Sequence, residues 1–394
     1  MKLLIYSHFF APSVGGVETI VLSLARGLAE RRNELGATEF DVTVATKTPA
    51  GDYNDGALPF RVIRNPGLTA LWQLVRESDV VHVAGPALGP LFLTYCTGKP
   101  VVIEHHGYQA TCPNGLLFHH PSGAVCRGHF ESGNYLECLR CNENIDGPVG
   151  SLRLLVSTFA RQAMSRGAAA NIAPSQHVAT RQNLPRTAVI FHGVEDPLRG
   201  NEKTPAAAAN DGRSFAYLGR LVVEKGVSVL LEAARLLRAE GREVRVALIG
   251  DGPERPRLEN QIRASRLEDS VRITGFLSGE VLNSELEKAA AVVIPTIMEE
   301  TAGLAALEQM ARGRPVIASE IGGLGEIVNG AGLTFRSNDA LALAGAMRRL
   351  LDEPAIAASL GASARERALR SFSFGGMIDA HACIYRAIHA AANR

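Results

Sequence analysis

Residues 215–226 read F-A-Y-L-G-R-L-V-V-E-K-G. An apolar run of strand length ends at a glycine, a cation follows, and a second cation stands just before the apolar periodicity of Val227 to Leu237. The segment is therefore strand, loop, helix. Strand C-terminal ends in parallel sheets face the ligand crevice, which places Arg220 and Lys225 to converge there. Downstream, strands are expected at Val244 to Ile249, Val271 to Gly275, Val292 to Pro295 and Pro315 to Ala318. Upstream, Lys2 to Tyr6, Asp41 to Ala45, Phe60 to Ile63, Val80 to Val83 and Val101 to Glu104 read the same way. Val17, Ile20, Val21, Leu24 and Leu28 recur at helical spacing, and Ser175 is placed as a helix N-cap.

Short apolar runs alternating with amphipathic segments predict a parallel α/β architecture. The alternation breaks at 197–212, where Pro197, Gly200, Pro205, four consecutive alanines and Asn210-Asp211-Gly212 form a linker without apolar period. The expected organisation is a domain over 1–196, the linker, a second domain over 213–375, and a closing helix over 376–394 packing back on the first domain. Two Rossmann-like domains facing across a cleft make that cleft the expected ligand site.

The chain has 394 residues, 46% of them hydrophobic and 21% charged, enough to bury a sizeable core in two domains. Its 41 basic and 40 acidic residues leave a net charge of +1, which gives no basis for a nucleic-acid partner. The apolar run after Met1 is too short for a signal-peptide core, and no stretch approaches the ~20 residues needed to span a bilayer. A cytoplasmic location is expected, at most peripheral on the inner face of the cell membrane. Ser151 to Ala170 mixes apolar residues with Arg153, Arg161 and Arg166. It reads first as a core-packed helix with solvated arginines and second as a contact with an anionic membrane. The oligomeric state stays open.

Two further motifs carry chemistry. Pro12-Ser13-Val14-Gly15-Gly16-Val17-Glu18 follows the first strand and opens a helix, where free amides favour an anion such as a diphosphate. It lacks the G-x-G-x-x-G of a dinucleotide site, which counts against a dehydrogenase. Residues 295–308 read P-T-I-M-E-E-T-A-G-L-A-A-L-E. Glu300 is expected in the loop and Glu308 two turns into the next helix. The amides of Ala302, Gly303 and Leu304 then bind a phosphate or sugar oxygen, Glu300 accepts from sugar hydroxyls, and Glu308 holds a ribose diol.

Cys112, Cys126, Cys138 and Cys141 form C-x13-C-x11-C-x2-C in a segment rich in Gly, Pro and His. Four thiolates suit a closed structural zinc site, with an iron–sulfur cluster as the second choice. This cysteine-rich insertion, near 107–147, is expected on the acceptor side. Cys96 and Cys383 read as lone buried thiols.

Taken in order, G-G-V-E, G-R-L-V-V-E-K-G, G-D-G-P-E, E-x7-E and I-G-G-L-G-E-I-V resemble a family-4 retaining glycosyltransferase of the GT-B fold, over nearly the whole chain. The resemblance implies a nucleotide-diphosphate sugar donor, a UDP-sugar before a GDP-sugar, and metal-independent hexosyl transfer with retention. It implies a carbohydrate or lipid-linked acceptor, in the synthesis of a polysaccharide, glycolipid or glycosylated metabolite. By position, Gly15 and Gly16 would approach the donor phosphates, Arg220 and Lys225 would grip the diphosphate, Glu300 would contact the sugar and Glu308 the ribose. The family's active-site histidine maps on His106, spaced from Cys112-Pro113 as in an H-D-x-W-x-x-C-P pattern. Two departures stand out: Thr301-Ala302 replaces Gly-Phe, and Gly107 replaces the Asp that would neighbour the histidine. The competing readings are a non-catalytic nucleotide-sugar sensor and a GT-B phosphorylase or epimerase.

Overall fold

The structure is a computed structural model that describes residues 1–199 and 212–394, apart from the side chains of residues 144–146. Most of the expected linker, 200–211, lies outside the described residues. The chain forms two compact units. The first comprises Met1–Pro121, Cys126–Gly193 and Phe374–Arg394, and the second Ser122–Val125 and Val194–Ser373.

The first unit is built on a seven-stranded sheet. Its strands are β1 (Lys2–Ser7), β2 (Asp41–Thr46), β3 (Arg61–Arg64), β4 (Val80–Ala84), β5 (Val101–Glu104), β6 (Ala170–Ala173) and β7 (Thr187–Val189). They run parallel in the order β3-β2-β1-β4-β5-β6-β7. Helices cover both faces, so the strands are apolar on both sides, as parallel strands must be. Leu3, Ile5, Val80 and Val102 pack on one face with Val21, Leu24 and Leu28 of the helix Gly16–Glu30 and with Ile378, Ala382 and Tyr385 of the helix Phe374–Ala392. Leu4, Tyr6, Val81, Val83 and Ile103 fill the other. Each such fully buried side chain contributes about 1.5–3 kcal/mol.

The second unit repeats the design with six parallel strands. They are β8 (Ser214–Leu218), β9 (Arg245–Ile249), β10 (Val271–Gly275), β11 (Ala291–Ile294), β12 (Val316–Ser319) and β13 (Leu333–Phe335). Their order is β10-β9-β8-β11-β12-β13. In both sheets the order reverses beside the first strand, and in such sheets the loops leaving the carboxyl ends there hold ligands.

β6, β7 and β13 carry no expectation from the sequence, being 3–4 residues long and without a clear period. The helix Tyr135–Gly167 begins inside the expected cysteine-rich insertion and is broken at Gly147 (φ 69°), where Pro148 supplies no N–H. Beyond the break one face packs inward through Ser151, Leu155, Thr158 and Ser165, as expected, while Leu152, Val156 and Phe159 on the other are 53%, 60% and 44% exposed. Cys96 and Cys383 are exposed rather than buried, because each falls on the outer side of an amphipathic helix. Among the described residues no helix is long and apolar enough to cross a membrane.

Candidate functional site

In the second unit glycine-bearing loops bring a set of charged side chains together. β8 ends at Leu218 and the chain passes through Gly219-Arg220 into a short turn, Val223–Lys225. Gly250 and Gly252 after β9 lie against that loop: a Cβ would stand 1.9 Å from the Gly219 carbonyl oxygen and 2.3 Å from that of Leu221, respectively. Backbone bonds from Leu221 to Asp251 (2.9 Å) and from Glu254 to Leu221 (3.0 Å) lock the two loops together. The G-D-G-P-E motif is thereby explained as a support that fixes Arg220. Arg220 is exposed, and among the described residues no carboxylate pairs with its guanidinium.

Gly226 closes the turn at φ 67°, where a Cβ would sit 2.0 Å from the Pro295 carbonyl oxygen. This close approach brings the Lys225 turn against the loop that leaves β11. Ile297 N–H and the Thr296 hydroxyl both donate to the Glu224 carbonyl, at 2.9 and 3.0 Å. Lys225 then forms an ion pair with Glu300. Tyr217 is buried beneath them and donates to the Arg220 carbonyl at 2.7 Å. Burial pushes its phenol up, with the charge of Glu300 adding to the shift.

The backbone of Glu300 is held by the second glycine motif. Gly323 N–H donates to the Glu300 carbonyl at 2.7 Å, and a Cβ on Gly322 (φ 61°) would lie 2.4 Å from that oxygen. Gly303, left-handed at φ 66°, opens the helix Leu304–Ala311 without a side-chain cap. The uncapped start leaves amide N–H groups for an anion or a sugar oxygen. Ala302 is buried and precedes the helix, so Leu304 is its first residue. Glu308 is consequently the fifth helical residue, little more than one turn in, where two turns were expected. The left-handed glycine delays the helix start by that much. Burial raises the Glu308 carboxyl above its ordinary value, with Arg312 opposing.

The first unit carries the remaining candidates. Gly15 caps the helix Gly16–Glu30 in extended conformation, again with no side-chain cap bond. His106 follows β5 and is almost wholly buried. Its neighbour is a carboxylate that the sequence analysis passed over. His82 in β4 pairs with Val102, and Glu104 lies two residues further along β5, so both side chains point to one face of the sheet. There Glu104, 0% exposed, meets four imidazoles. Its Oε2 lies 3.3 Å from His82 Nε2 and 3.7 Å from the Nε2 atoms of His106 and His381, and its Oε1 lies 3.7 Å from His192 Nε2. Glu104 thus supplies the negative neighbour of His106 that Gly107 does not. His105 points the other way and bonds Asn171 at 2.8 Å.

Burial pushes His82 and His106 down and carries His192 to about 3, disfavouring their charged forms. Burial alone would raise Glu104; His106, His381 and His82 together outweigh it and hold the carboxyl well below its usual range. His82, His192 and His381 carried no sequence signal of their own. Glu104 carried one, a lone acid closing the apolar run Val101-Val102-Ile103.

The four cysteines of the insertion are brought into one buried neighbourhood. Cys112 donates to Asn114 at 2.9 Å and Asn114 donates to Cys141 at 3.4 Å. Burial lifts Cys112 to about 11 and Cys138 to about 12, and the neighbouring thiols add to both shifts. Asn114 holds Cys112 and Cys141 from between, and among the described residues the four sulfurs do not draw together as a ligand set. The compact group of donor atoms is instead Glu104, His106 and His192.

Residues 199–367 match the family model of glycosyl transferases group 1. The chain is 36% identical over 204 residues to the alpha-D-kanosaminyltransferase of Streptomyces kanamyceticus, covering 50% of this chain and 52% of that protein. It is 36% identical over 173 residues to a glycogen synthase of Mycobacterium tuberculosis, covering 43% and 42%. The matches thus span about half the length of these curated relatives. Among solved structures, Anabaena Alr3699/HepE in complex with UDP superimposes with a TM-score of 0.71 at 18% identity, over 98% of this chain and 100% of that one. The sucrose-phosphate synthase of Thermosynechococcus elongatus does so with a TM-score of 0.72 at 21% identity, over 99% of both. These likenesses show the GT-B fold. Over residues 199–367, somewhat less than half of its length, the chain is similar to the glycosyl transferases group 1 family.

Proposed function

We propose that the protein is a retaining glycosyltransferase that moves a hexosyl group from a nucleotide-diphosphate sugar to an acceptor hydroxyl, without a catalytic metal. The observation that carries this reading is the Lys225–Glu300 ion pair, set beside the uncapped helix start at Gly303-Leu304 and joined through Tyr217 to the Arg220 loop. As the glycosidic bond breaks, charge grows on the leaving diphosphate, and Arg220, Lys225 and the helix amides are fixed donors for it. Glu300, oriented by Lys225, accepts from the donor sugar's hydroxyls, and Glu308 accepts from the ribose diol. Gly15 and Gly16 open a further amide-rich helix start, within the first unit.

His106 serves the acceptor side in this proposal, with Glu104 as its charged neighbour. The departing phosphate takes the acceptor proton, so no carboxylate acts as a covalent nucleophile. A uridine nucleotide is favoured, because the Anabaena structures hold UDP and UDP-glucose. Val149, Leu152, Val156 and Phe159 recur at helical spacing, exposed together with Arg153, which fits an acceptor presented at an anionic membrane.

The test is a thermal-shift panel of UDP-, GDP- and ADP-sugars, followed by release of the nucleotide diphosphate with and without acceptor. A shift with one donor class and slow hydrolysis of that donor are expected. Absence of both for every nucleotide sugar would overturn the reading.

A further inference from the structure

We infer that Glu104, His106 and His192 form a binding site for one divalent first-row transition-metal ion in the first unit. The inference goes beyond the transferase reading and does not depend on it, although the two share His106, whose Nε2 an ion would engage.

The first ground is convergence. One donor atom from each of the three residues lies within 4.8 Å of the other two. The second is spacing. Glu104 Oε2 to His106 Nε2 and Glu104 Oε1 to His192 Nε2 are both 3.7 Å. An N–H···O hydrogen bond is shorter, about 2.7–3.2 Å. Two ligands each about 2.0–2.2 Å from a shared ion stand roughly 3–4 Å apart, which is the separation seen here.

The third ground is what the cluster leaves unsatisfied. Both oxygens of Glu104 and both ring nitrogens of His192 are buried with no hydrogen-bond partner among the described residues. Buried carboxylates are ordinarily paired and hydrogen-bonded or bound to a metal. The surrounding rings sharpen the point. His381 Nδ1 lies 2.9 Å from the Met377 carbonyl, which only accepts, so this nitrogen carries the proton. His381 Nε2 then faces Glu104 Oε2 at 3.7 Å. His82 completes the ring, held through Nδ1 by the Tyr385 hydroxyl at 2.8 Å.

Two imidazoles and one carboxylate are borderline donors that select zinc, iron, cobalt or nickel over magnesium and calcium. Three protein ligands also leave a coordination position open.

The experiment uses the full chain, stripped with a chelator and titrated with Co2+ alone. Nitrogen and oxygen ligation gives visible d–d absorption without the near-ultraviolet sulfur-to-cobalt band that the cysteines would produce. One equivalent of ion with the sulfur-free spectrum is expected. His192→Asn and Glu104→Gln should each weaken Co2+ binding more than about tenfold, scored on protein whose circular dichroism is native. Should either variant fail to fold, Zn2+ titration of the wild type followed by X-ray absorption reads the ligand shell directly. Two nitrogen ligands and a carboxylate support the site. A sulfur-only shell, unchanged affinity in His192→Asn, or no ion bound would each overturn it, the last meaning that protons alone satisfy the cluster. Donor-induced thermal shifts of His192→Asn, measured in parallel, keep failure here distinct from failure of the transferase reading.

Discussion

Glu300 and Glu104 are both carboxylates placed at the ends of parallel strands, and they are handled in opposite ways. Glu300 sits in a loop, its side chain 12% exposed, with one partner, Lys225, that is itself 31% exposed. Glu104 belongs to its strand, is fully buried, and faces four imidazoles with no cationic side chain such as Lys or Arg among the paired groups. The first arrangement, partly open to water, can exchange partners, as the proposed substrate site requires. The second is a closed cluster whose energetics depend on filling every lone pair. The lesson is that the two units use one topology for different ends: glycine-lined loops in the second, strand side chains in the first.

The comparison breaks most visibly in activity. Lys225→Ala and Glu300→Gln are each expected to lower kcat/KM for the donor about 10²- to 10³-fold, or about 2.7–4 kcal/mol of transition-state stabilisation. Their unfolding midpoints should hardly move, since partly exposed ion pairs contribute about 0–1 kcal/mol. A large loss of stability with activity retained would make the pair structural.

Gly226→Ala probes the backbone that positions Lys225. The left-handed φ alone costs about 1–3 kcal/mol, and the added Cβ, 2.0 Å from the Pro295 oxygen, forces the loops apart. A lower urea midpoint and weaker donor binding should appear together. Stability lost with donor affinity intact would show that the turn does not position the lysine.

Glu308 supplies the pH dependence. Its carboxyl is raised by burial, so on acidification it takes up a proton before an ordinary glutamate does. Above its folded pKa the folded protein bears the burial penalty of the ionised form, and that penalty is relieved as pH falls through the folded pKa. Donor affinity should move the opposite way, dropping over that same range because a protonated acid accepts poorly from a diol. Glu308→Gln should weaken donor binding about tenfold at pH 7, flatten the pH profile, and leave the unfolding midpoint equal or higher. A wild-type profile flat down to the ordinary carboxylate range would remove Glu308 from the ribose.

The smallest effect is chemical. Exposed Cys96 and Cys383 should alkylate quickly at pH 8. Cys112 and Cys138, buried and raised to about 11 and 12, should react far more slowly until the chain unfolds. Mass spectrometry after a short pulse of iodoacetamide should show two modified thiols. Six fast thiols would mean that the cysteine-rich segment is open.

Periodicity alone determined that both halves are parallel α/β, because strands and helices bury apolar faces at fixed periods and those periods survive in one dimension. The same local logic marked Arg220, Lys225, Gly303 and Glu308, each close in sequence to a strand end or a helix start. The strands β7 and β13 escaped because they are only three residues long, and β6 because Asn171 interrupts its apolar run. Glu104's surroundings escaped for a different reason: His82, His192 and His381 come from a strand, a post-strand loop and the C-terminal helix, and only folding gathers them. The glycine contacts are tertiary in the same sense. Gly322 is required by the backbone of Glu300, a neighbour that no local pattern names. Contacts between residues far apart in sequence leave no periodic trace, so three-dimensional packing alone decided which acid each cation and each imidazole would meet.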